Sequence, residues 1–309
     1  MRLKFQAIFQ PKVAIEQELI FMNKGTKEVR SKINETPSIG FVQDELKIKY
    51  PEILSKTSRE QASCLLEVKS KPQKSLELAY EETQEVIRLI NDKILNTHEV
   101  ELQAQSVPTQ DFEVVPASLD PQSRSFQLFN EWGAHNISKT VICSTQLNID
   151  IDMPFFSSPR DTIERIRFIL NQLSSHKREI TEFNSGLTNQ NGKTREDLLK
   201  ELMRDAKGKH FDSVDEILVP PFFNTNQEMF KWMLSHSGES INIGSLSDYD
   251  ILRRISPKDM HGYLAKIKFN NLDPFNSKWV LELRSLDSTS DFNKIKDFLE
   301  FCISITHLN

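Results

Sequence analysis

"VAIEQELIF", residues 13–21, decides the kind of fold to expect. Val13, Ile15, Leu19 and Phe21 fall at alternate positions, interrupted by Gln17, and successive strand side chains point to opposite faces, so the stretch reads as a β-strand. On that reading Glu16 and Glu18 lie side by side on one face, with Ala14 and Ile20 as their apolar neighbours. Three more runs repeat the pattern. In "ASCLLEVKS", residues 62–70, Glu67 interrupts an apolar strand. In "STQLNIDID", residues 144–152, Gln146, Asn148, Asp150 and Asp152 line one face and Leu147, Ile149 and Ile151 the other. In "LELRSLD", residues 281–287, Glu282 and Arg284 share a face.

One wet face on an antiparallel sheet explains any of these strands taken singly. Taken together, that face is carboxylate-rich in three strands, amide-rich in a fourth and nearly free of lysine, and like charges facing one another across a sheet destabilise it. A wall of carboxylates on rigid strands calls for a cation. Mg2+ is a hard ion that takes oxygen ligands and completes its shell with the phosphates of a nucleotide. Arg284 beside such a wall suits a transferring phosphoryl group, because its charge is permanent and its fork matches oxyanions.

Outward from these strands, the spacing predicts strands in "LKFQAIF", "EVELQAQ" and "HGYLAKIKFN", and a polar stretch after the second strand. Helical periodicity predicts helices in "SLELAYEETQEVIRLINDKIL", "DTIERIRFILNQL", "TREDLLKELMRDA", "QEMFKWMLSH", "SLSDYDILRRI" and "DFNKIKDFLEFCISI", with a short one in "RSFQLFNEWG" ending at Gly133. Residues 106–121, with three prolines, form a loop and a candidate cover for a site. Strands that neighbour one another in sequence, with helices inserted in blocks, predict an α+β fold around a largely antiparallel sheet. The expected organisation is a single domain over 1–309 with a helical insertion around 176–256.

The bulk composition narrows the function. With 39 basic and 44 acidic residues, the net charge of −5 gives nucleic acid no electrostatic footing. No segment approaches the roughly 20 apolar residues of a membrane span, and the opening "MRLKFQAIFQ" is too interrupted for a signal peptide. The 3 cysteines, far apart in apolar surroundings, read as reduced core thiols. A cytosolic protein is expected, and delivery by a signal-free route leaves the same composition. "GLTNQNGKT" imitates a phosphate-binding loop but has five residues between Gly186 and Gly192 where that motif needs four, so it reads as a polar loop opening a helix at Thr194, with Asp197 completing the cap.

The four strand motifs carry a resemblance. "IEQEL" resembles the E-x-E strand of the glutamate–cysteine ligase family and its carboxylate–amine ligase relatives, "REQASCLLEVKSKP" their segment ending L-E-x-x-[ST]-x-P, and "LELRSLD" their E-x-R-x-x-D strand. "STQLNIDIDMP" resembles the strand that carries His-x-Asn or His-x-His in the family, with Gln146 in the histidine's place. The motifs stand in the family's order from residue 16 to 287. The resemblance implies a glutamine-synthetase-like fold, in which an antiparallel sheet with flanking helices forms a funnel for Mg2+ (or Mn2+) and ATP. Carried over by position, Glu16, Glu18, Glu67 and Glu282 become metal ligands, with Glu60 and Gln146 as further candidates; Asn148 and Arg284 face the nucleotide, and Glu282 and Arg284 serve catalysis. The implied chemistry is attack of a small carboxylate, glutamate-like, on ATP to give an acyl phosphate that an amine displaces.

Two other functions fit the same residues. Gln146 and the absence of the family's substrate arginines, for which Arg253 and Arg254 are weak substitutes, suit a non-catalytic member that binds nucleotide or a protein partner. A metal-dependent hydrolase or nuclease uses the same carboxylates to activate water. The sequence leaves the oligomeric state open.

Overall fold

The computed structural model describes residues 11–151, 158–207, 221–235, 247, 260–261, 265–269 and 279–308. In chain order the elements are β1 (Val13–Asn23), β2 (Lys32–Ile33), β3 (Thr36–Pro37), α1 (Ser38–Lys49), α2 (Pro51–Leu54), β4 (Thr57–Arg59), β5 (Leu65–Lys69), α3 (Leu76–Ile90), β6 (Val100–Gln103), α4 (Arg124–Lys139) and β7 (Thr145–Ile151). They continue with α5 (Pro159–Ser175), α6 (Lys177–Glu182), α7 (Arg195–Lys207), α8 (Asn226–Ser235), β8 (Met260–His261), β9 (Ala265–Phe269), β10 (Trp279–Leu283) and α9 (Phe292–Thr306).

Every described strand pair is antiparallel, as expected. The main sheet runs β4-β5-β1-β7-β10-β9-β8, and β6 extends it beside the far end of β1. Glu16 pairs with Lys69 on β5 and with Gln146 on β7, while Ile20 pairs with Leu65 on β5 and Gln103 on β6, so β6 and β7 share one flank of β1. The described strands form an open sheet that does not close into a barrel.

The two faces of β1 have different covers. Val13 and Ile15 join Leu147, Ile149, Trp279 and Leu281 under α5 and α9, and Leu19 and Phe21 pack with α1 and α3. Helix α9 buries Ile295, Phe298, Leu299 and Cys302, spaced i, i+3, i+4 and i+7. Asp291 caps it by accepting from the backbone N–H of Asn293 and Lys294. Each such large apolar side chain gains about 1.5–3 kcal/mol on burial. On the opposite face Ile20, Met22 and Leu65 lie under Ile137, Val141 and Cys143. The carboxylates share this second face, beside the part covered by α4 and the segment after it.

Several expectations change in detail. The polar stretch after β1 holds the β2–β3 hairpin and α1, whose Ile39, Val42 and Leu46 enter the core. The short helix does break at Gly133 (φ 74°, ψ 160°), a conformation open to glycine, and then resumes as far as Lys139. Among the described residues, the long strand-like run forms a strand over Thr145–Ile151. Cys64, Cys143 and Cys302 are all free and buried, and burial pushes the Cys64 thiol up to about 12. "LKFQAIF", "SLSDYDILRRI" with Arg253 and Arg254, and most of the expected insertion beyond 207 lie outside the described residues.

Candidate metal and phosphate site

Antiparallel register turns the E-x-E spacing into a cluster. Glu18 stands directly opposite Glu67, on the central pair β1–β5, and Ser58 of β4 stands opposite Glu67 on its other side. Glu60 follows the end of β4, and its neighbours are tied down by the proline-rich loop: Ser63 donates its backbone N–H to Val115 (2.9 Å), and Ala117 donates to Gln61 (3.1 Å). The result is a trio, Glu18, Glu60 and Glu67, with one oxygen from each lying within 4.8 Å of the others.

Each member is held differently. Glu18 Oε2 accepts from the Ser144 backbone N–H (2.7 Å) and hydroxyl (2.9 Å), and Gln146 Nε2 donates to Glu18 Oε1 (2.8 Å). Glu67 Oε1 accepts from Ser58 Oγ and pairs with Lys69 Nζ at 2.6 Å. Glu60 is half-buried. Desolvation first, then the Glu18 and Glu67 charges, push its carboxyl up to about 8. Burial, opposed by Arg284 and Arg195 and reinforced by Glu67, likewise raises Glu18. Both shifts mean that a second negative charge is costly here, so a proton or another cation must share the trio.

The remaining candidates share the face but not the trio. Asn148 Nδ2 donates to Glu16 Oε1 at 3.0 Å. Glu282 pairs across the sheet with Asn148, and β10 is two strands from β1, a separation of about 10 Å. Its Oε1 lies 3.3 Å from Arg284 Nε, and both groups are largely shielded from water. Sequence alternation thus put all the carboxylates on the right face, while the tertiary structure selects Glu60 over Glu16 and Glu282 for the cluster.

One functional candidate was missed. Arg195, the first residue of α7, is 6% exposed, and its Nη2 and Nη1 donate to the carbonyls of Arg284 (2.9 Å) and Ser285 (3.4 Å). Its Nε is buried without a hydrogen-bond partner. Burial draws this guanidinium below the ordinary arginine range, although Glu18 and Asp287 oppose the shift. The expected helix start at Thr194 is present as a reciprocal cap with Asp197. A cation in the first turn runs against the helix dipole, which was the one signal available in the sequence. Asp287 fixes the approach to α7 by accepting from the backbone N–H (2.8 Å) and hydroxyl (2.7 Å) of Ser185.

Glu18, Glu60, Ser144, Trp132, Arg195 and Arg284 line a cavity of about 210 Å3, so carboxylates and two arginines face one small space. A larger cavity of about 370 Å3 lies under Pro108–Val114 and is bordered by Asn189, Asn191 and Lys193. The proline-rich loop therefore does cover a cavity, but one that shares no lining residue with the carboxylate pocket. In the phosphate-loop mimic, Asn189 Oδ1 accepts from the backbone N–H of Asn191 and Lys193, and Asn189 also pairs with Lys193 through its own N–H. Those amides satisfy the loop itself instead of forming an anion cradle.

The oxygen-only donor set fits Mg2+ or Mn2+. At Mg2+–oxygen distances of about 2.0–2.1 Å, ligand oxygens sit about 3 Å apart in cis and 4 Å in trans. The trio oxygens, within 4.8 Å of one another, need to close by at most about 1–2 Å to reach that spacing.

No protein-family model and no curated protein matches the chain. Among solved structures it is similar to a bifunctional glutathione synthetase from Pasteurella multocida, with a TM-score of 0.55 and 11% identity over 96% of this chain and 38% of that one. It also aligns with a glutamate–cysteine ligase from Francisella tularensis in complex with AMP, with a TM-score of 0.40 and 13% identity over 56% of this chain and 34% of that one. The chain thus spans well under half the length of either protein. At these identities the first likeness is one of fold: a mixed α+β architecture on an antiparallel sheet, of the kind that the Pasteurella enzyme contains.

Proposed function

We propose that this chain is an ATP- and Mg2+-dependent carboxylate–amine ligase. The observation that carries the reading is the 210 Å3 cavity lined by Glu18, Glu60, Arg195 and Arg284, with Glu67 completing a carboxylate trio beside it. A likeness of fold to a glutathione synthetase agrees with it, and the sheet is then the wall of a glutamine-synthetase-like funnel.

Glu18, Glu60 and Glu67 would hold the divalent cation, which supplies charge neutralisation for the nucleotide phosphates. Glu16, with Asn148 on one oxygen, and Glu282, anchoring Arg284, extend the polar wall. Ser144 and Gln146 keep Glu18 aimed by donating to both of its oxygens. Arg284 would stabilise the negative charge that develops as a substrate carboxylate oxygen attacks the γ-phosphorus and ADP leaves. Arg195, which lines the same cavity, would supply positive charge to the anionic end of the acid. The amine nitrogen then attacks the acyl carbon, phosphate departs with the bonding pair, and the nitrogen loses a proton to form the amide. Rigidity matters here, because donors held in place by the fold stabilise developing charge without reorganising.

The test is phosphate release from ATP and Mg2+ across a panel of amino acids, glutamate first, each with and without amines. Release that requires both an acid and an amine supports the ligase. A second reading has its own observation: Gln146, in the position of the family's histidine, spends its amide on Glu18. A non-catalytic member would bind ATP and Mg2+ in calorimetry with no turnover on any pair. Release with neither acid nor amine points to the metal-dependent hydrolase.

A further inference from the structure

Lys69 is a cation of the carboxylate wall that the ligase reading does not use. Lys69 is the last residue of β5, on the same face as Glu67, and stands opposite Glu16 in the register of β1. Its Nζ lies 2.6 Å from Glu67 Oε1, and the charges of Glu67, Glu16 and Glu60 all act on it. The Lys69 side chain is 38% exposed against 9% for Glu67, so its ammonium reaches the trio from the solvent side. The contrast with Arg195 is mechanical. Arg195 is pinned by two backbone carbonyls, whereas the flexible four-carbon stem of Lys69 can swing a compact point charge into water. An ammonium and a divalent ion cannot share Glu67, since at a few ångströms their repulsion is worth about tenfold or more in affinity even in water.

We propose that Lys69 is the resident counter-cation of the carboxylate wall, and that metal loading is an exchange in which a divalent ion displaces its ammonium from Glu67. The inference rests on the metal reading above. Beside the trio the same cavity holds a second sign of a ligand, Arg195, 6% exposed, lining it with Glu18 and Glu60 and keeping a buried Nε without a hydrogen-bond partner. Lys69 would then set how much free Mg2+ the protein needs, and the wall would never stand uncompensated when the ion leaves.

The full-length chain is titrated with Mn2+ at pH 8, following free Mn2+ by electron paramagnetic resonance, and the metal-free proteins are melted in parallel. Lys69→Met and Lys69→Gln, the second keeping a hydrogen-bond donor for Glu67, are compared with the parent. Lys27→Met, which removes a surface lysine paired with Glu101, controls for net charge. Both Lys69 variants should bind Mn2+ about tenfold or more tightly and melt lower without metal, while Lys27→Met matches the parent. If the parent binds and the Lys69 variants bind equally or more weakly, the exchange is wrong while the metal site stands. If none of the proteins binds Mn2+ at about 10 mM, the metal reading falls and the exchange with it.

Discussion

Replacing Glu60 by glutamine removes a carboxyl of the trio that is held near neutral pH, and its consequence for metal binding can be worked out in advance. Desolvation and the Glu18 and Glu67 charges place the Glu60 carboxyl at about 8. Such a group is about one-tenth ionised at pH 7 and about one-hundredth ionised at pH 6. A divalent ion takes the ionised form, so binding expels the proton. Apparent Mn2+ affinity should therefore climb about tenfold per pH unit between 6 and 8, more steeply where Glu18, also raised by burial, gives up a proton too, and then level off. Stability follows the same proton. An unfolded glutamate ionises near about 4.3, so between there and about 8 the folded state binds more protons than the unfolded one, and metal-free stability falls as pH rises through that window. Metal should restore most at its upper end. Calorimetric Mn2+ titrations at pH 6, 7 and 8, each in two buffers of different ionisation enthalpy, count the protons released: about one or more per ion at pH 7 for the parent, and about one fewer for Glu60→Gln. An affinity constant from pH 6 to 8 with no proton release would refute the shared-proton argument.

Arg284→Lys keeps the charge but loses the fork, so turnover in the ligase assay should fall on the order of a hundredfold with little change in ATP affinity; equal losses in both would assign Arg284 to nucleotide binding. Arg195→Gln should raise KM for the acid about tenfold or more and leave KM for ATP nearly unchanged, because a hydrogen bond to a charged group contributes about 1.5–3 kcal/mol. An unchanged KM for every acid tried would make Arg195 a strut between α7 and the strand end. Phe298, fully buried and edge-on to Phe183 at 5.3 Å, should cost about 3–5 kcal/mol as Phe298→Ala in urea unfolding. A loss under about 1 kcal/mol would mean that α9 does not pack as described.

Period-two alternation is a local property, which is why the strand faces were legible in the sequence: whichever strands flank β1, Glu16 and Glu18 point the same way, as do Glu282 and Arg284. Caps are local too, and Thr194 and Asp197 were placed by the same logic. Helix α1 escaped because its core residues, Ile39, Val42 and Leu46, are spread among charged ones in a stretch whose polarity dominates. What the sequence by itself determined was an antiparallel sheet with one carboxylate face and a demand for a cation. Only the tertiary structure decided which carboxylates meet. Register set Glu18 against Glu67, backbone pairing with the distant 115–117 segment placed Glu60 beside them, and the fold of the 184–195 connection delivered Arg195 into the cavity and left Glu282 two strands away. Those distances depend on contacts between residues tens to hundreds of positions apart, and no short-range periodicity encodes them.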